Sequence, residues 1–130
     1  MGQRFLMDTN VIIDYTSDRL DDKGSAFVEN IFNTGFNTSI VVKIEVLGYN
    51  DVPARMQLLE EFLATATIYP LDEAVTQKTI ELRRIRKLKL GDAIIAATAL
   101  VYNLTIITRN TDDFKNIDGS CPESHCPALC

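Results

Sequence analysis

Apolar positions along the chain alternate between two rhythms. Arg4 to Met7 is a short apolar run that stops at Asp8-Thr9-Asn10, and Val11, Ile12, Ile13 and Tyr15 then predict a helix start. Ala26, Phe27, Val28, Ile31 and Phe32 recur at three-to-four spacing, which predicts an amphipathic helix stopped by Gly35. Phe36 to Ile40 reads as a strand, and Val41 to Gly48 as a short helix. Pro53, whose fixed φ suits the first helical turn, opens a further helix to about Ala64. Thr67 to Leu71 is another short strand-like run, and Asp72 looks like the N-cap of a helix through Val75, Leu82 and Ile85. Gly91-Asp92 leads into an apolar helix from Ala93 to Asn103, followed by the clearest strand, the β-branched run Leu104 to Thr108.

Strands alternating with helical segments predict an α/β fold with a mostly parallel central sheet and helices on both faces. The longest apolar stretch, Ala93 to Tyr102, is about half the length of a membrane span and reads as a buried element. From Asp118 onward the chain has two prolines, three cysteines and no periodicity, so a domain over residues 1–117 followed by an irregular tail at 118–130 is expected.

The length of 130 residues suits one domain, and 46% apolar with 24% charged residues excludes a disordered chain. The first residues turn acidic too soon for a secretory signal, and Cys121, Cys126 and Cys130 all lie in the tail, so a cytoplasmic, reducing location is expected. The net charge of −5 argues against a protein that simply coats duplex nucleic acid. It is compatible with an acidic site whose divalent metal presents a positive face to phosphate.

In open α/β sheets ligands gather beyond the carboxyl ends of the strands. Asp8 ends the first strand, Asn110, Asp112 and Asp113 follow the last, and Asp92 opens a helix whose amino end should face the same edge. Carboxylates converging there raise one another's pKa, and Mg²⁺ or Mn²⁺ would relieve the repulsion through hard oxygen ligands. Each acid also has a plain reading. Asp8 and Asp92 suit helix caps, and Asp112 and Asp113 a solvated turn. Asp92, however, adjoins a stretch from Ala93 to Thr108 without any charged residue. Glu45, with Val41, Val42, Gly48 and Tyr49 as its helical neighbours, points into apolar or small surroundings.

Four segments in order resemble the PIN-domain family. They are Met7-Asp8-Thr9-Asn10-Val11-Ile12-Ile13-Asp14, then Ser39 to Gly48 with Glu45, then Gly91-Asp92-Ala93-Ile94-Ile95-Ala96-Ala97-Thr98-Ala99, and last Ile107 to Phe114. Size and motif style are most similar to VapC-type toxins of prokaryotic toxin–antitoxin pairs. The resemblance implies a Mg²⁺- or Mn²⁺-dependent endoribonuclease, a small antitoxin partner and a homodimer. It carries catalytic roles onto Asp8, Glu45, Asp92 and Asp113, with Asp8, Asp92 and Asp113 on the metal and Glu45 on the attacking water. Where many members have an acid this chain has Asn110, so Asp113 is the first choice for the fourth acid. Asp112 comes second, and Asn110 serves as a neutral oxygen ligand. Asn10 and Thr108 are supporting polar groups. The cluster Arg83, Arg84, Arg86, Lys87 and Lys89 would steer RNA toward Asp92, or is simply a solvated helix face.

Other readings fit less well. A phosphatase of the haloacid-dehalogenase type wants an aspartate where Asn10 stands, and a receiver domain wants paired acids after its first strand. A catalytically inactive PIN-like module in RNA binding or protein interaction remains the alternative, because of Asn110. Cys121, His125, Cys126 and Cys130 have zinc-ligand chemistry but match no strong spacing, so an irregular end is expected.

Overall fold

The computed structural model describes residues 4–108. Four short strands, β1 (Phe5–Met7), β2 (Asn37–Ser39), β3 (Thr67–Tyr69) and β4 (Thr105–Ile107), form one parallel sheet in the order β3-β2-β1-β4. Each crossover carries two helices. They are α1 (Thr9–Thr16) with α2 (Asp22–Thr34), then α3 (Ile40–Leu47) with α4 (Pro53–Ala64), then α5 (Glu73–Ile85) with α6 (Leu90–Tyr102). The chain therefore winds outward from β1 to β3 and returns on the other side of β1 as β4. That reversal creates a crevice beyond the carboxyl ends of β1 and β4, where open sheets bind ligands.

All three β4 residues are buried. Successive strand side chains point to opposite faces, so both faces of β4 are covered, as in a parallel sheet sandwiched by helices. β2 is polar in sequence, but its side chains tie it to β1. The Thr38 hydroxyl donates to the Met7 carbonyl at 2.7 Å and the Asn37 amide to the Phe5 carbonyl at 3.0 Å. Aromatic packing fastens α2 and α4 over this edge, with the Phe32 and Phe62 rings stacked at 4.8 Å and Phe36 at 4.9 Å from Phe62. None of the described helices is long and apolar enough to cross a membrane.

Local signals explain most boundaries. Asp21, Ser39 and Asp72 each accept a backbone N–H at the start of α2, α3 and α5. Gly35 ends α2 at φ +94°, a conformation that L side chains rarely adopt. Two expectations need correction. α6 begins at Leu90 rather than Ala93, so Asp92 is not its cap; it lies in the first turn, where the helix dipole favours a carboxylate. The basic cluster is not one helix face either. Arg83 and Arg84 close α5, Arg86 is its extended C-cap, and Lys87 and Lys89 lie in the connection to α6. The tail from Asp118, with its cysteines and His125, lies outside the described residues.

Candidate active site

Asp8 follows β1 directly and starts α1. Its backbone N–H still donates to the Ile107 carbonyl at 3.0 Å, the last rung between β1 and β4. Its side chain is held at both oxygens: the Thr9 N–H donates to Oδ1 at 2.7 Å and the Thr108 hydroxyl to Oδ2 at 2.8 Å. Only 5% of Asp8 is exposed. Burial pushes its carboxyl above the usual carboxylate range. The bonds from Thr108 and Thr9 oppose that shift, and the charges of Asp92 and Glu45 add to it.

Glu45 reaches the same place from α3. Its Oε1 accepts the Thr9 hydroxyl, so the residue after Asp8 links the two acids. The expectation of apolar surroundings for Glu45 is corrected: α3 buries Val42 and Val46, while Glu45 is exposed and faces the open cleft. The first turn of α6 packs on this side chain. A Cβ on Gly91 would stand 3.5 Å from Glu45 Oε2, in ordinary contact. Asp92, the next residue, enters the cleft from there.

The cleft encloses about 430 Å³, and its walls include Asp8, Asn10, Glu45 and Asp92. Thr108 is fully buried behind Asp8 and acts by holding it. These five sequence-derived residues thus come together. Asn110, Asp112 and Asp113 lie outside the described residues. Arg83, Arg84, Arg86, Lys87 and Lys89 are not among the residues lining the cleft.

Five other lining residues carried no site role in the sequence reading: Thr9, Ile13, Asp14, Arg19 and Tyr49. Asp14 was legible, because it stands one helical turn beyond Asn10 on α1. Arg19 and Tyr49 follow the ends of α1 and α3, and only the packing of those two helices brings them together.

Among the described residues, no three His, Cys, Asp or Glu side chains are grouped closely enough to hold a metal ion by themselves. The chemistry of the donors nonetheless suits Mg²⁺ or Mn²⁺. All are oxygens, and Mg²⁺ binds through one or two carboxylates while keeping waters and recruiting phosphate. The charges of Asp92 and Glu45 against a buried Asp8 are the imbalance that a cation would relieve.

Comparison with known proteins agrees with this geometry. The family model described as "PIN domain" matches residues 5–120. A protein named Ribonuclease VapC from Rickettsia bellii is 30% identical over 119 residues, covering 86% of this chain and 89% of that protein. Among solved structures, a toxin–antitoxin complex from Klebsiella pneumoniae contains a chain 31% identical to this one. It superposes with a TM-score of 0.75 over 91% of this chain and 96% of that chain. VapBC2 from Rickettsia felis, bound to a DNA fragment from its promoter, shares the fold at 20% identity and a TM-score of 0.77 over 92% of this chain and 96% of that chain. The order of strands, the acids at the β1–β4 crevice and the match over most of the chain place this protein in the PIN-domain family, with VapC-type members as its relatives.

Proposed function

We propose that the chain is a divalent-metal-dependent endoribonuclease and the toxin half of a toxin–antitoxin pair. The observation that carries this reading is the buried, hydrogen-bonded Asp8, whose proton affinity is raised first by burial and further by two carboxylates that line the same cleft. Asp8 and Asp92 would hold the cation, Mg²⁺ or Mn²⁺, with Asp113 contributing directly or through water. Asp112 and Asn110 are the lesser candidates for that last role. Bound there, the cation supplies positive charge against the phosphoryl oxygens of a phosphodiester. Glu45, held by the Thr9 hydroxyl, orients a water and takes its proton as the oxygen attacks phosphorus. The opposite P–O bond then breaks, and the departing ribose oxygen takes a proton from solvent water. Thr108 and Thr9 fix the Asp8 carboxylate, so the geometry is set before substrate arrives.

The partner reading rests on the relatives: a similar chain sits in a toxin–antitoxin complex, which supports a small antitoxin as the inhibitor here. A homodimer and a cytoplasmic location belong to the same reading.

The test is cleavage of labelled single-stranded RNA in Mn²⁺, in Mg²⁺ and in EDTA, by the wild type, Asp8→Asn and Asp113→Ala. Metal-dependent cutting by the wild type, abolished in Asp8→Asn and severely reduced in Asp113→Ala, is expected. Cutting retained in Asp8→Asn would remove the site assignment. Absence of both cutting and metal binding in the wild type would leave an inactive PIN-fold module.

A further inference from the structure

The cleft wall also carries side chains whose chemistry differs from that of the acids. Tyr49 lies just past Gly48, the C-cap of α3, with its N–H on the Val46 carbonyl at 3.2 Å. It is 44% exposed and the only aromatic among the exposed large hydrophobic side chains of the described residues. Tyr15, Tyr69 and Tyr102 all pack against the core and have ring partners; Tyr49 has neither among the described residues. A large ring left in water at a cleft wall is a surface for stacking.

Arg19 stands on the same wall, past the end of α1. Its backbone N–H is pinned to the Asp14 carbonyl at 2.8 Å, while its guanidinium is exposed and forms no ion pair among the described residues. It is the only cation among the described residues lining the cleft, where the other charges are Asp8, Asp14, Glu45 and Asp92. Half-buried Ile13 lies between Asp8 and Arg19 along α1 and gives the wall an apolar patch. The eight residues of α1 span about 12 Å, so Arg19 stands too far along the wall for the phosphodiester at Asp8 and suits a neighbouring phosphate, while Tyr49, about one turn beyond Glu45, suits a base beside the cut bond.

We infer that Tyr49 and Arg19 hold a nucleotide beside the cut bond, the ring stacking on an unpaired base and the guanidinium pairing with a strand phosphate. Bases inside an A-form duplex offer no free face to an aromatic side chain, whereas unpaired bases stack on tyrosine regardless of identity. The planar guanidinium suits phosphate through paired hydrogen bonds. The inference rests on the ribonuclease reading for the kind of substrate, and binding tests it apart from cleavage.

The experiment uses the full chain carrying Glu45→Gln, which keeps Asp8 and Asp92, in Mn²⁺. Fluorescence anisotropy would follow a labelled single-stranded RNA and a duplex of the same length. The single strand should bind more tightly, and Tyr49→Ala should weaken it by between about 5-fold and 150-fold, the range of one base–aromatic stack. Tyr49→Phe should restore affinity. Arg19→Ala should lower the slope of log affinity against log salt by about one. Circular dichroism of each variant should match that of its parent, since both side chains are exposed. Unchanged RNA affinity in Tyr49→Ala, or equal affinity for the duplex, overturns the inference whatever the cleavage assay gives, and the first result would assign the ring to a protein contact. Tyr49-dependent binding of the single strand by a wild type that cuts nothing would instead leave the inference standing and overturn the nuclease reading.

Discussion

At the scale of single residues, Asp8 is held in opposition to its own charge. Burial disfavours the carboxylate, and the bonds from Thr108 and Thr9 only partly offset this. Its folded-state pKa lies above the unfolded value of 3.8, so the folded chain holds this proton more tightly than the unfolded one. The stability Asp8 contributes is therefore complete below pH 3.8 and is lost as pH rises through the elevated folded value. Asp8→Asn, which cannot ionise, should match or exceed the wild type in stability without metal, with the difference widening from acid to neutral pH. Urea midpoints across that range in EDTA would show it, and a variant less stable at pH 7 than at pH 4 relative to wild type would contradict the burial argument. The function proposed for the cleft depends on this intrinsic cost, because a site at ease without a cation would have little reason to bind one.

Elements were legible where a residue's backbone chemistry announced them. Pro53 placed the start of α4, and Gly35 the end of α2, because each restricts or permits backbone angles that neighbours cannot change. Gly35→Ala should therefore destabilise the fold by about 1–3 kcal/mol through backbone strain alone, since nothing crowds a Cβ there. Chemical denaturation would test this, and an unchanged midpoint would mean that the corner relaxes freely. The start of α6 was misread for the opposite reason. Its N-cap, Lys89, makes no capping bond, and the more conspicuous Asp92 drew the boundary three residues inward. The site divides along the same line. Asp8, Glu45 and Asp92 follow from short motifs on single elements. Arg19 and Tyr49 have no local signal, because their meeting is a product of how α1 packs on α3.

For the whole molecule, a cation held by Asp8 and Asp92 would make metal binding and folding one equilibrium. The unfolded chain cannot gather Asp8 and Asp92, which are far apart in sequence, so a cation bound by them should stabilise only the folded state. At a hundredfold excess over its dissociation constant the gain is about 2.7 kcal/mol. The thermal midpoint should accordingly rise with Mn²⁺ in the wild type and stay flat in Asp8→Asn. An equal rise in both would place the ion elsewhere. Of the described residues lining the cleft only Arg19 is basic, against Asp8, Asp14, Glu45 and Asp92, and the cluster around Lys87 is not among them, so the acids outnumber the cations there.

The Thr108–Asp8 bond joins residues 100 positions apart, and β4 is the last strand to leave the ribosome among those described. At about 5–20 residues per second, roughly 5–20 s separate the synthesis of the first partner from that of the second. During that interval the nascent chain has Asp8 but neither the strand that flanks it nor the hydroxyl that orients it. Whatever the cleft does, it cannot begin while its own message is still being read through the body of the domain. An Asp8 carboxylate oriented by Thr108 therefore exists only after this whole region has been translated.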